Sequence, residues 1–190
     1  MCGGRGTRLE SPHEKPRHPI DGVPMIDRVL AGLERSRIET TYAAVSPNAP
    51  ETRARLTDDG VPTLETAGDG YVADLMALLD RPEITPPILT VAADVPLLDG
   101  PVVDRILAVY GDSDASLTVC VPVRLKERLG VSVEARLEPD DYLAPTGVNV
   151  VGDTDTTMTH VSYDTRLAVN VNRLEDARIA AAHVQRTEGR

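Results

Sequence analysis

The chain opens on Met1-Cys2-Gly3-Gly4-Arg5-Gly6-Thr7-Arg8 and places Glu14-Lys15-Pro16 shortly after. Gly3, Gly4 and Gly6 carry no Cβ, so consecutive backbone N–H groups can turn toward an anion. Arg5, Arg8 and Lys15 add positive charge around the same point. The spacing is neither a Walker A loop, which continues into Gly-Lys-Ser/Thr, nor the Gly-x-Gly-x-x-Gly dinucleotide fingerprint. By composition it is a cradle for a polyphosphate, although a glycine cluster alone would serve equally as a turn. A second group of interest is Asp94, which closes the apolar run Thr90-Val91-Ala92-Ala93 and is followed by Val95-Pro96. A hard carboxylate at a strand end beside a phosphate cradle suits Mg²⁺, which keeps several waters and bridges phosphate oxygens. The plainer role for Asp94 is to cap the helix that starts near Pro101.

Composition narrows the partners. The 190 residues carry a net charge of −10 and their basic residues form no cluster, which argues against a nucleic-acid binder, since phosphate contacts require a basic face. Lys15 and Lys126 are the only lysines among 20 basic residues, and Phe and Trp are absent. An acidic, arginine-dominated chain of this kind is expected in an archaeal, halophilic cytoplasm, although GC-rich coding would produce the same bias. Cys2 and Cys120 form neither a zinc spacing nor a disulfide framework. No apolar run reaches the ~20 residues of a membrane span, and no signal peptide is recognised, so a cytoplasmic location is expected. His13, His18, His160 and His183 show no metal-ligand spacing. A homodimer is left open.

The elements that must position these groups alternate between helix and strand, giving an α/β fold with a mostly parallel sheet in one domain over residues 1–190. Helices are expected over 23–36, 51–58, 71–79, 101–110 and from 174 to about 186. Strands are expected over 40–46, 88–93, 115–123, 147–151 and 167–171. The stretch from Pro122 to Tyr142 is charged and gives no clear pattern. Ligands of open α/β sheets sit beyond the carboxyl ends of the strands. The glycine loop, the loop at Asn48, the loop Gly68-Asp69-Gly70 and Asp94 all fall at such ends.

Several segments in order carry a resemblance: Gly3 to Arg8 with Glu14-Lys15-Pro16, Ser46-Pro47-Asn48-Ala49-Pro50, Thr66 to Leu75, Ala93-Asp94-Val95-Pro96-Leu97, Pro145 to Val151, and Asn170-Val171-Asn172. The sequence resembles the nucleotidyltransferases that join an NTP to a sugar or cofactor phosphate. Within them it is similar to the archaeal GTP:adenosylcobinamide-phosphate guanylyltransferases. The resemblance implies a Rossmann-like three-layer fold, with GTP and adenosylcobinamide phosphate as substrates and Mg²⁺ as cofactor. It implies that Gly3, Gly4, Arg5, Gly6, Thr7, Arg8 and Lys15 hold the triphosphate, and that Asn48, Gly68, Asp69 and Gly70 line the nucleoside. Arg5, Arg8, Lys15 and Asp94 would be catalytic. Asp94 would bind the metal together with Asn170 or Asn172, Asn170 being slightly favoured, and Gly147 and Asn149 would face the acceptor. Members of the family carry a short apolar strand ahead of the glycine loop. Only Met1-Cys2 stands there in this sequence, so a sheet with its first strand missing is expected. Other functions remain compatible: guanylyl transfer to the molybdenum cofactor, nucleotidyl transfer to another sugar or cofactor phosphate, or GTP binding without turnover.

Overall fold

A computed structural model describes residues 1–2, 8–139 and 141–188, the side chain of Glu188 excepted. Helix α1 (Met25–Glu34) turns Met25, Ile26, Val29 and Leu33 inward at helical spacing. Strand β3 (Ala43–Val45) follows, then α2 (Pro50–Asp58), β4 (Thr63–Glu65) and α3 (Tyr71–Leu79). Strand β5 (Ile88–Val91) leads to α4 (Gly100–Tyr110), then β6 (Ser116–Pro122), α5 (Val123–Leu129), β7 (Leu143–Val151), β8 (Thr157–Val161) and α6 (Leu174–Glu188). A small hairpin of β1 (Pro19–Ile20) and β2 (Val23–Pro24) precedes α1.

The four-stranded sheet has the order β5-β7-β6-β8, and β3 pairs with β4 in a separate parallel ladder. Met1 and Cys2 join the two. The Met1 ammonium donates to the carbonyl of Val91 (2.9 Å), Ala93 N–H donates to the carbonyl of Met1 (3.2 Å), and Cys2 N–H donates to the carbonyl of Ala44 (2.8 Å). Thus the backbone of Met1 and Cys2 lies between β3 and β5 and links the two ladders. An apolar cavity of about 480 Å³ adjoins this bridge, walled by Leu33, Leu64, Leu78, Ile84 and Leu89 among others.

The α/β class holds, but the sheet is mixed: β7 runs antiparallel to both β5 and β6, while β6 and β8 are parallel. The strand expected over 167–171 is a correction of a different kind. Residues 165–168 form a turn, with Leu167 N–H donating to Asp164 and Ala168 N–H to Thr165. Leu167, Val169 and Val171 are buried, and the segment makes one backbone bond to the strand side, from Val171 N–H to the Asp94 carbonyl (2.8 Å), so its apolar run mimics a strand without a ladder. The unclear stretch after Pro122 contains α5, and β4 and β8 are further elements that the sequence pattern leaves unmarked. The main core lies between α1, α4 and the four-stranded sheet, through Val29, Val91, Val95, Val103, Ile106, Val119 and Val148.

Candidate active site

Lys15 begins a short 3₁₀ turn (Lys15–Arg17) whose Pro16 is buried. Its ammonium donates to Asp94 Oδ2 at 2.6 Å and to Asn172 Oδ1 at 2.8 Å. The Lys15 and Asp94 side chains are 17% and 18% exposed, shielded enough to make the pair specific and open enough to admit a ligand. Residues 79 and 157 positions apart therefore meet at one point. Asp94 is free for this because Asp99, not Asp94, caps α4: its Oδ1 accepts from Val102 N–H at 3.0 Å.

Lys15 is positioned through its neighbour. The carboxylate of Glu14 accepts from Glu51 N–H (2.8 Å), Thr52 N–H (2.7 Å) and the Thr52 hydroxyl (2.6 Å). Helix α2 has Ala49 at its cap position and no side-chain cap of its own. Glu14 thus supplies the missing acceptor from another part of the chain and ties the Lys15 segment to the Asn48 loop. Asn172 is held similarly. Asp176, 1% exposed, accepts from the backbone N–H groups of Asn172 and Arg173 and from both N–H and hydroxyl of Ser132.

The loops assigned to the nucleoside approach one another. Gly68 has φ +80°, and a Cβ there would lie 2.9 Å from Asn48 Nδ2. Its N–H donates to Asp74, which is buried. Asp69 is exposed. Gly70 opens α3 and, with Lys15, Tyr71, Ala93 and Asp94, lines a cavity of about 230 Å³. Gly147, expected on the acceptor side, packs directly behind the carboxylate. With φ +78°, a Cβ would meet Ala92 Cβ at 2.9 Å and would sit 3.9 Å from Asp94 Oδ1. Asn149 lies further along β7, where its Nδ2 donates to the Tyr71 hydroxyl (3.3 Å), itself 2.9 Å from Thr90 Oγ1.

Arg8 donates to Glu134 at 2.9 Å, a carboxylate that also accepts from Arg173. Asn170 and Asn172 present opposite ends of their amides. Asn170 Oδ1 accepts from Lys126 (2.9 Å), and its Nδ2 donates to the carbonyl of Thr146 (2.7 Å) and lies 3.4 Å from Asp94 Oδ1. Asn172 turns its oxygen toward the Lys15 ammonium. Asn172 therefore offers its oxygen on the Lys15 side of Asp94, and Asn170 offers its NH₂. Gly3, Gly4, Arg5, Gly6 and Thr7 lie outside the described residues. Sequence reasoning missed Glu14 and Asp176 as organisers, because a capping carboxylate distant in sequence leaves no local pattern. Lys126 stood out only by rarity. Burial lowers its pKa, against the raising influence of Asp176, Asp94 and Glu134.

Comparison with known proteins decides the family. The model of the MobA-like NTP transferase domain matches residues 1–186. The chain belongs to that family. Among its relatives, the adenosylcobinamide-phosphate guanylyltransferase of Methanocaldococcus jannaschii is 26% identical, covering 95% of this chain and 93% of that protein. The bifunctional protein GlmU of Syntrophotalea carbinolica is 32% identical over 63% of this chain, a match spanning 26% of GlmU. Solved structures share the fold. CMP:2-keto-3-deoxy-manno-octonic acid synthetase complexed with CTP superposes with a TM-score of 0.64 at 14% identity, over 95% of this chain and 96% of that one. A hypothetical transferase from Thermus thermophilus gives 0.61 at 16% identity, over 86% and 90%. In this MobA-like domain, the Lys15–Asp94–Asn172 cluster beside the 230 Å³ cavity is the candidate active site. No helix among the described residues is long and apolar enough to cross a membrane.

Proposed function

We propose that the chain transfers GMP from GTP to adenosylcobinamide phosphate. A terminal phosphate oxygen of the acceptor forms a bond to the α-phosphorus, the bond to the β-phosphate oxygen breaks, and adenosylcobinamide-GDP and pyrophosphate result. The observation that carries the reading is the clasp of Lys15 by Asp94 and Asn172 just beyond the end of β5. The choice of acceptor is supported by the near full-length match to the Methanocaldococcus jannaschii protein.

A phosphate monoester is ionised at neutral pH, so the site needs no general base, and catalysis rests on alignment and charge stabilisation. Among the described residues, Lys15 is the cation at the clasp that can leave its resting partners for the phosphates. Gly147 lets the β7 backbone lie against Asp94, and Glu14 and Asp176 hold the Lys15 and Asn172 segments in place. The donor set fits Mg²⁺: one carboxylate oxygen and one amide oxygen already share a cation, the ammonium of Lys15. Mg²⁺ held by Asp94 and Asn172 would neutralise phosphate charge that Lys15 alone cannot. A sugar phosphate or another cofactor phosphate is the alternative acceptor class for the same phosphate chemistry.

The test is to incubate the protein with GTP, MgCl₂ and, in separate reactions, adenosylcobinamide phosphate, molybdopterin and N-acetylglucosamine 1-phosphate, and to identify products by mass spectrometry. A guanylylated corrinoid is expected. A guanylylated sugar or pterin alone would replace the acceptor, and GTP binding with no product would favour the non-catalytic reading.

A further inference from the structure

Both lysines of the chain converge on Asp94, but only Lys15 touches it. Lys126 lies on α5, 3% exposed, and spends its ammonium on the carbonyl of Ala168 (2.9 Å) and on Asn170 Oδ1 (2.9 Å). A buried ammonium is a poor way to stabilise a core, since an apolar side chain of similar volume usually does as well or better. Its geometry suits another purpose. An ammonium has donors and no acceptor, so only the oxygen end of the Asn170 amide can face it. The NH₂ end must then face the Thr146 carbonyl (2.7 Å) and Asp94 Oδ1 (3.4 Å). With the amide flipped, its oxygen would oppose two acceptors and its NH₂ would oppose an ammonium.

We propose that Lys126 is a positioning residue that locks the Asn170 amide with its NH₂ toward Asp94, steadying the carboxylate from its Oδ1 side and leaving Oδ2 to face Lys15 and the incoming substrate. The lock is buried throughout: Asn170 is 8% exposed, and Thr146 and Ala168 are fully buried. It works through a neutral amide, so it fixes direction without adding charge at the reacting phosphates. The importance given to Asp94 rests on the proposed transferase reading. The orientation of Asn170 does not.

The first arm therefore needs no activity. In the full-length ¹⁵N-labelled protein without ligand, the side-chain NH₂ signals of Asn170 are assigned by their loss in Asn170→Ala, and their exchange with water is measured. Lys126→Met is expected to speed that exchange by about tenfold or more, as release of a buried hydrogen-bonded group would, while Lys15→Met leaves it unchanged. In the second arm, Lys126→Met and Asn170→Ala each lower kcat by about tenfold, in the range seen for residues that orient a ligating group. The GTP KM stays within about twofold, and the double variant is no worse than the poorer single one. Unchanged Asn170 exchange in Lys126→Met, or losses that multiply in the double variant, would overturn the proposal. If Lys126→Met does not fold, Lys126→Gln, which keeps an N–H donor, carries both comparisons and is expected to fall between wild type and Asn170→Ala. A wild-type protein with no transfer activity would remove the transferase reading and leave the exchange arm to decide the role of Lys126.

Discussion

Replacing Glu14 with alanine isolates the contact that holds the Lys15 segment against α2. The carboxylate satisfies two N–H groups in the first turn of α2 and the hydroxyl of Thr52, which is fully buried. Loss of a helix cap costs about 1 kcal/mol, and up to about 2. Removing a negative charge from a helix N-terminus costs about 0.5 kcal/mol more. The stranded Thr52 hydroxyl adds about 1 kcal/mol. These contributions overlap and the Glu51 N–H is exposed to water, so the expected loss is about 2 kcal/mol. For a chain of this length that lowers Tm by about 4–8 °C. Glu14→Gln keeps an acceptor without the charge and should lose about half as much. Urea denaturation of Glu14→Ala, Thr52→Val and the double variant measures the coupling directly, with about 1 kcal/mol expected between the two sites. A loss under about 0.5 kcal/mol, or strict additivity in the double variant, would refute the assignment of Glu14 as the cap of α2.

Gly147→Ala combines a left-handed backbone with a Cβ 2.9 Å from Ala92. It should cost about 1–3 kcal/mol of stability and reduce turnover more than GTP binding, as calorimetry and steady-state kinetics can separate. Asp164 accepts from Arg105 and Arg166 at 2.6 Å. Burial pushes its pKa up, but the hydrogen bonds and charges of the two arginines outweigh burial and leave it below the ordinary value. Its stabilising effect is therefore complete above the unfolded-state pKa and is lost as pH falls through the lower folded value. Asp164→Asn should destabilise at pH 7 by about 1–2 kcal/mol, with the gap to wild type closing only in strong acid, followed by urea melts across pH. Gly68→Ala, forced against Asn48 at φ +80°, should weaken GTP binding with little change in kcat once GTP saturates, a distinction that isothermal titration and kinetics resolve.

Elements with strong local signals were legible in the sequence. The run from Ile88 ends at Asp94, Tyr71–Leu79 forms α3 with the expected bounds, and Asp94 meets Lys15. The failures have physical causes. Leu167, Ala168, Val169 and Val171 are apolar because they are buried, and burial without a backbone ladder has the same composition as a strand. The antiparallel course of β7 depends on a long return from α5 that hydrophobic period does not encode. The roles of Asn170 and Asn172 could not be separated by spacing, because the distinction lies in which end of each amide meets an ammonium. Glu14, Asp176 and Lys126 act through contacts 37, 44 and 42 positions away, and no local motif reports them.

The measurement that bears most directly on the central claim is pyrophosphate release from GTP and Mg²⁺, with and without adenosylcobinamide phosphate, for wild type and Asp94→Asn. Release that requires the corrinoid, and falls by about 10²-fold or more in Asp94→Asn, is the predicted result. Release independent of the corrinoid, or undiminished in Asp94→Asn, would contradict the account.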